Sequence, residues 1–424
     1  MLIEFRVENH RSIRGEQVLT MEAGRVGASD DPTPRTVPGC SEKILPVTAL
    51  YGANASGKSN VLAALAFMKE AVIYSHRSWS PDEGIPRDPF AWGQKRNEPS
   101  MFEVEIVIDG VRYRYGFRVD DEVFLEEWLY AWPNGKKQTW LERDGENFEY
   151  GKHLMGENKV IEGVTRTNAL FLSAAAQLKH PQLTPLFSWF GSIETINLPS
   201  RRTSGSRGRM DSIVSMLMDE ERDLRQPPLF GDEEAPDSLL NRFKSLLKNA
   251  DVGIIDMRIN RKEHSQGMRS RSSVLELKHQ SESDDAWLPL EEESRGTRTL
   301  FQLALPILRT FERGRLMVVD ELESSMHPNL AEHIVRLFND PKINTHNAQL
   351  IFSTHDTNLL GTLSGEPALR RDQVWLTEKD ATGATVLYPL TDFKPRKEEN
   401  IERGYVQGRY GAIPYLGNFQ IPEE

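Results

Sequence analysis

A chain of 424 residues with 52 basic and 63 acidic residues, a formal net charge of -11, is long enough to bury the core of one large α/β domain with an insertion or of two domains. The acidic balance excludes a protein that coats nucleic acid by bulk electrostatics and leaves only a regional basic patch for such contact. One cysteine, Cys40, excludes an internal disulfide and a cysteine-built zinc site, and no stretch approaches the ~20 apolar residues of a membrane span, so the expectation is a soluble cytoplasmic protein without a membrane partner.

Taken in chain order, Leu2-Ile3-Glu4-Phe5-Arg6-Val7 alternates and predicts a first strand. Asn9-His10-Arg11-Ser12 makes a polar corner before a short strand near Gln17-Val18-Leu19, and residues 24–46, rich in Gly, Pro, Asp and Thr, predict a surface loop. The apolar run Pro46-Val47-Thr48-Ala49-Leu50-Tyr51 then leads into Gly52-Ala53-Asn54-Ala55-Ser56-Gly57-Lys58-Ser59, followed by Asn60-Val61-Leu62-Ala63-Ala64-Leu65 in a helix expected to reach about Ile73. Strand, G-x-x-x-x-G-K-S loop and helix is the order a phosphate-binding loop requires. Its glycines let backbone N–H groups converge on phosphate oxygens at a positive helix end. Gly52, Asn54, Ala55, Ser56, Gly57, Lys58, Ser59 and Asn60 are therefore the nucleotide-binding candidates, with Lys58 for the β/γ-phosphates and Ser59 for Mg²⁺.

From Phe102 the period becomes two. Val104, Ile106 and Ile108, then Asp109-Gly110, then Tyr113, Tyr115, Phe117 and Val119 predict a hairpin, extended through Trp128-Leu129-Tyr130 and Gln138-Thr139-Trp140-Leu141 into an antiparallel meander ending near Tyr150. Arg112, Arg114 and Arg118 face acids and predict a solvated sheet face. Leu170-Phe171-Leu172-Ser173 is a compact apolar run with Gln177 just beyond it.

Arg201, Arg202, Arg207 and Arg209 crowd a Gly/Ser loop that reads either as a phosphate grip, DNA or RNA included, or as a solvated linker. A helix starting at Asp237 is amphipathic, with Leu240, Phe243, Leu246 and Leu247 on its core face, and Arg258, Arg261, Lys262, Arg269 and Arg271 form a second basic cluster in a strand and loop. No heptad pattern is sustained, which excludes a long coiled coil.

Leu316-Met317-Val318-Val319-Asp320-Glu321 is a buried-strand run ending in two carboxylates. Asp320 is placed to hold Mg²⁺ through water and Glu321 to polarise an attacking water. Ala348-Gln349-Leu350-Ile351-Phe352-Ser353-Thr354 ends in His355, a candidate γ-phosphate contact. Between loop and carboxylates, Ser294, Gly296 and Thr297 open a helix at Thr299-Leu300-Phe301-Gln302-Leu303, and a serine and a glycine at a helix N-terminus make an anion-binding surface.

This order resembles the ABC-type heads of the SMC and RecF proteins. Nearly the whole chain also resembles the stand-alone bacterial anti-phage and abortive-infection ATPases of the AbiL, RloA and PARIS-ATPase kind. The second resemblance rests on Tyr113-Arg114-Tyr115-Gly116-Phe117, Ser294-Arg295-Gly296-Thr297-Arg298, Asp320-Glu321-Leu322-Glu323-Ser324-Ser325-Met326-His327-Pro328 and the tail Gly404-Tyr405-Val406-Gln407-Gly408-Arg409-Tyr410-Gly411-Ala412-Ile413-Pro414. It implies an α/β P-loop NTPase of ABC/SMC-head type, with a mixed sheet, an antiparallel β meander lobe and a helical lobe. The expected divisions are 1–75 and 286–424 for the head, 76–165 for the β lobe and 166–285 for a helical, basic-loop insertion.

The resemblance further implies ATP and Mg²⁺ as cofactors, Arg11 near the nucleotide, Gln177 as a Mg²⁺-sensing glutamine, and Ser294, Gly296 and Thr297 acting across a homodimer, or a higher even-numbered homo-oligomer, on the other copy's nucleotide. Arg295 departs from the transporter form of that signature, and His10 stands where the N-F-R-S corner of such heads carries an aromatic residue. The expected function is an ATPase that controls a separately encoded effector, a toxin nuclease. The alternatives are a RecF-like clamp on duplex DNA and a nucleotide-gated scaffold with negligible turnover. For the tail, a clamp packed on the head is expected ahead of a docking site.

Overall fold

The computed structural model describes residues 1–27, 30–198, 213–214, 216–217, 239–250, 253–262, 272–283, 285–361, 366–396 and 399–414. In chain order the strands and helices begin with β1 (Leu2–Glu8), β2 (Gln17–Thr20), β3 (Val47–Gly52) and α1 (Lys58–Tyr74). The meander is β4 (Ser100–Ile108), β5 (Val111–Val119), β6 (Phe124–Trp132), β7 (Gln138–Asp144) and β8 (Asn147–Tyr150), followed by α2 (Asn158–Val164), α3 (Phe171–Gln177), α4 (Thr184–Ser192) and β9 (Glu194–Ile196). Then come α5 (Leu239–Ala250), β10 (Ile254–Lys262), β11 (Ser272–His279), β12 (Trp287–Pro289), α6 (Arg295–Arg313), β13 (Leu316–Val319) and α7 (Pro328–Asn339). The chain returns through β14 (Gln349–Ser353), β15 (Val374–Lys379), β16 (Thr385–Pro389) and α8 (Ile401–Val406).

The strand that carries the phosphate loop, β3, is buried at all six residues, as an interior parallel strand must be. It lies between β15 and β14 in a six-stranded sheet ordered β16-β15-β3-β14-β13-β9, parallel except for the antiparallel edge strand β16. The register pairs Ser353 with Leu50 and Val319 with Phe352. The carboxyl ends of β3, β14 and β13 therefore lie side by side, the edge where open parallel sheets place their ligands.

The second sheet, β2-β1-β4-β5-β6-β7-β8, is antiparallel throughout. Its central hairpin turns on Asp109 and Gly110, both at positive φ (49° and 79°), the geometry that matches a two-residue turn to the strand twist. β1 pairs with β4, which joins the first strand of the chain to the meander. Helix α1 touches β3 and β14 on one side and β1 and β4 on the other, so the two sheets share one apolar core through Leu62, Leu65 and Met68. The described residues of 24–46 form no strand or helix and are largely exposed, as expected of a surface loop, with three apolar anchors. Val37, Ile44 and Leu45 are buried, and Ile44 bridges both Glu22 and Arg35, so this irregular strap closes over the core.

The meander's arginines are paired across strands, Arg112 and Arg114 with Glu105, and Arg118 with Glu126. Deeper in, Glu127 is wholly buried and accepts hydrogen bonds from Tyr115 Oη (2.9 Å) and from the amides of Phe171 (2.7 Å) and Leu172 (3.1 Å). Arg143 supplies the opposing charge at 3.8 Å. The carboxylate thus fastens the start of α3 to the sheet. Burial still raises the Glu127 pKa, with the Arg143 charge acting against it.

By chain contacts the protein divides into a unit of residues 1–199, 313–322 and 332–424 and a unit of residues 200–312 and 323–331. The second unit is mixed. It holds the antiparallel sheet β10-β11-β12 as well as α5 and α6. Phe243 and Phe301 meet edge to face at 5.0 Å in its core, beside Met257, Leu275 and Leu277.

His10 occupies an aromatic position. It is 2% exposed, with its ring centroid 5.5 Å from that of Phe102 and 6.0 Å from that of Phe67, and neither ring nitrogen has a hydrogen-bond partner. Burial, helped by the Arg11 charge, lowers its pKa to about 3. The unfolded chain takes up this proton first, so the position costs stability progressively as pH falls from about 6.5 toward 3, and nothing of that kind above it. We expect His10→Phe to raise the unfolding free energy by about 1–3 kcal/mol at pH 7, because two orphaned nitrogens disappear. The gain should widen at pH 5, as read by chemical denaturation at both values.

Candidate functional site

Gly52 to Gly57 form a loop that enters α1 at Lys58, and the surroundings of two of its glycines leave no room for a side chain. Gly57 has φ 116°, and a Cβ there would meet Thr385 Oγ1 at 2.0 Å, while one on Gly52 (φ 156°) would meet the Thr377 carbonyl at 2.4 Å. Ala55 also takes positive φ (62°). Asn54 and Ala55 are exposed, whereas Ser56, Gly57 and Lys58 are buried. Lys58 Nζ lies within the curve of the loop and donates to the carbonyls of Gly52 (2.8 Å) and Ala53 (3.1 Å). Directly behind it, Asn60 Nδ2 donates to Ser12 Oγ at 2.6 Å, and Ser12 Oγ lies 2.7 Å from Thr385 Oγ1. Thr385 in turn donates to the Ser56 carbonyl at 2.8 Å, and Ser56 Oγ lies 2.6 Å from Thr377 Oγ1.

At the neighbouring strand ends, Asp320 Oδ1 accepts from Ser59 Oγ at 3.0 Å and from Ser353 Oγ at 2.5 Å. Ser353 Oγ accepts in turn from the Glu321 amide at 2.7 Å, and Glu321 has φ 52°. The Leu322 amide donates to the Ser353 carbonyl at 3.1 Å, and Asn197 Nδ2 to the Asp320 carbonyl at 3.1 Å. One serine thus fixes both carboxylate-bearing residues, holding the side chain of the first and the backbone of the second. The side chain of Glu321 is left exposed beside it. Ser353 and Asn197 were missed in the sequence. A serine ending an apolar strand is unremarkable until the parallel register sets it beside Asp320.

A hydroxyl and a carboxylate oxygen within 3.0 Å of each other are oxygen donors suited to Mg²⁺, which takes one or two protein ligands and completes its shell with water and phosphate. His355 follows β14 and is exposed at the same edge of the sheet. Arg11, at φ 50°, pairs with Asp88 at 3.2 Å. The nearest tie from its corner to the loop is the neighbouring Ser12 rather than Arg11 itself. Gln177 is the exposed last residue of α3, a helix that packs on α1, α2 and α4. None of the hydrogen bonds at Asp320 involves it.

In the second unit, Ser294 Oγ accepts from the Thr297 amide at 3.1 Å and lies 2.9 Å from Thr297 Oγ1, which caps the start of α6. A Cβ on Gly296 would come within 3.0 Å of the Ser325 carbonyl. Glu293 is buried and paired with His279 at 2.6 Å. Arg201, Arg202, Arg207 and Arg209 lie outside the described residues, as do Arg269 and Arg271. Arg258 is engaged by Glu276 at 2.6 Å and stacks over Trp287 at 4.1 Å.

The family model described as "AAA domain, putative AbiEii toxin, Type IV TA system" matches residues 47–153 and 210–361, more than half of the chain. The chain belongs to that family. It therefore carries an AAA-type ATPase domain, whose matched residues include the phosphate loop, Asp320, Glu321 and His355. Among solved structures the chain is similar to the SMC head domain from Thermotoga maritima, at 15% identity and TM-score 0.41 over 92% of this chain and 98% of that one. It is similar also to the SmcHead bound to the C-winged helix domain of ScpA, at 13% identity and TM-score 0.44 over 92% and 99%. A third is the Smc head domain with an extended coiled coil bound to the C-terminal domain of ScpA derived from Pyrococcus furiosus, at 13% and 0.43 over 92% and 97%. A search of the curated proteins gives no match. The AbiL, RloA or PARIS subgroup is not distinguished by these matches. Among the described residues no helix is long and apolar enough to cross a membrane.

Ser353→Ala removes both hydrogen bonds that fix the carboxylate pair. ATP turnover should fall on the order of tenfold to a hundredfold, the range found when a group that orients a reacting residue is lost. Steady-state phosphate release checks this, with unfolding midpoints recorded to show that the fold persists.

Proposed function

We propose that this chain binds ATP with Mg²⁺ and hydrolyses it. The observation that carries the reading is the hydrogen-bonded line Ser59–Asp320–Ser353–Glu321 across the ends of β3, β13 and β14, with the phosphate loop at one end and an exposed carboxylate at the other. Ser59, and Asp320 through water, would hold a magnesium ion, which would neutralise phosphate charge. Lys58 leaves the Gly52 and Ala53 carbonyls for the β- and γ-phosphates, which the amides of 54–59 surround. The Glu321 carboxylate, reaching solvent from a fixed backbone, orients the attacking water, and His355 contacts the γ-phosphate.

In this reading Ser294, Gly296 and Thr297 complete the site of a second copy, so that hydrolysis requires a homodimer or a larger even-numbered assembly. The support is the capped start of α6, which presents amides and a hydroxyl suited to phosphate, together with the resemblance to ABC-type heads. The family description names a toxin and a Type IV TA system. In that setting the ATPase controls a separately encoded effector in bacterial anti-phage defence, in the cytoplasm.

Lys58→Ala should abolish ATP binding, as measured by calorimetry. Glu321→Gln should keep ATP affinity within about threefold while turnover falls on the order of 10²-fold or more, and size-exclusion chromatography with ATP should show it accumulating as a dimer. Parental turnover by Glu321→Gln would remove Glu321 from its role.

A further inference from the structure

The tail 404–414, which the ATPase reading leaves without a task, is packed on the strands of the first unit. The Tyr405 ring stands edge to face on that of Tyr51, with centroids 5.5 Å apart, and Tyr410 is 1% exposed, its hydroxyl donating to Glu399 at 2.7 Å. The Tyr388 hydroxyl donates to the Tyr410 carbonyl at 3.1 Å, which joins the tail to β16. Where the tail meets the end of β15, the surface is hollowed by about 410 Å³ between Glu378, Tyr388, Asp392, Phe393, Tyr410 and Gly411.

Rings and carboxylates share this hollow. Phe393 contacts both other rings, 5.8 Å from Tyr388 and 5.5 Å from Tyr410 between centroids, and is still 43% exposed. Glu378 and Asp392 are exposed beside it, and among the described residues no cation pairs with either carboxylate. The neighbouring cations are used elsewhere or stay apart. Arg409 is paired with Glu399 at 2.5 Å, Arg371 donates to the Pro395 carbonyl at 2.6 Å, and Lys394 makes no ion pair with a described residue. A Cβ on Gly411 would come within 2.8 Å of both Glu378 Oε2 and Tyr388 Oη, so the glycine keeps the floor of the hollow clear. Glu378 follows Thr377, whose hydroxyl lies 2.6 Å from that of Ser56 in the phosphate loop, and successive strand residues face opposite ways. The hollow is therefore a surface apart from the nucleotide site.

We propose that this hollow docks an arginine side chain of a partner protein. A guanidinium is flat and weakly hydrated, stacks on an aromatic face and offers a fork of N–H groups to carboxylates. Phe393 supplies the exposed ring, and Glu378 and Asp392 supply two uncompensated negative charges. An ammonium would use the charge and not the plane, while an apolar side chain would cover both carboxylates without pairing them, which costs free energy. The rim is open to water, so such a contact decides which partner is accepted more than how tightly it is held. The reading stands on the hollow alone and needs neither nucleotide nor hydrolysis.

The test uses the full chain with Phe393 fluorine-labelled on its ring, and follows that resonance as Nα-acetyl-arginine amide, which has the peptide flanks of a residue in a chain, is added at constant ionic strength. The resonance should shift and saturate in the millimolar range. Asp392→Asn and Glu378→Gln should each weaken the binding about two- to fivefold, the range of a solvent-exposed ion pair. Nα-acetyl-lysine amide should bind more weakly, and Nα-acetyl-norleucine amide should leave the resonance in place. Free L-arginine, which brings a carboxylate of its own toward Glu378 and Asp392, should bind no better than the blocked amide. Absence of a saturable shift with the arginine amide overturns the proposal, as does a shift that the norleucine amide reproduces or that survives both substitutions unchanged. Equal binding of the lysine amide overturns the assignment to a guanidinium, and tighter binding of free arginine overturns docking in favour of a small-molecule site.

Discussion

Two threonine side chains on the returning strands hold the nucleotide loop from behind, and the rest of the first unit is arranged around that support. Thr377 and Thr385 come from β15 and β16, more than 300 residues beyond the loop, yet their hydroxyls lie against Ser56 and the sites where Gly52 and Gly57 have no Cβ. Such proximity explains both glycines more directly than turn preference does. A loop built of unpaired amides would otherwise be soft, and here its outer wall is protein. Ser12 and Asn60 extend the same network to the corner after β1, so the first strand of the chain is tied to the site by hydrogen bonds as well as by the apolar core that α1 shares between the sheets.

How much of this is legible in the sequence depends on how narrowly chemistry restricts each position. The phosphate loop can be read because glycine, lysine and serine each have a separate mechanical task at a fixed spacing. The β4–β5 hairpin can be read because Asp109-Gly110 accepts positive φ. Asp320 and Glu321 end a strand apolar enough to announce its burial. The strand β9 has three residues, too few for any period, and owes its existence to pairing with β13. β15 and β16 lie in a stretch without a sharp pattern, and what matters about them is a pair of threonines whose role depends wholly on tertiary register. Ser353 is hidden for the same reason.

At the corner of His10 and Arg11 the structure shows which residue ties to the loop and what fills the aromatic position. The corner does reach the loop, but through Ser12. Arg11 is engaged by Asp88, while the apparent loss of the aromatic at His10 is no loss of packing, since the imidazole takes the aromatic place against Phe102 and Phe67. The basic row of the meander likewise has its charge satisfied within the sheet by Glu105 and Glu126.

The position of β3 also dictates when a site can exist. Its two partners in the sheet are β14 and β15, residues 349–353 and 374–379, so the strand bearing the phosphate loop has no pairing partner while the intervening three hundred residues are being synthesised. A ribosome has long since released the glycine loop before the serine and threonines that shape it are made. Closing so long a separation comes late and leaves apolar strand edges exposed in the interval. A nascent chain of this protein therefore cannot complete the site early, and β3 stays without its two partner strands until residues 349–379 have been made.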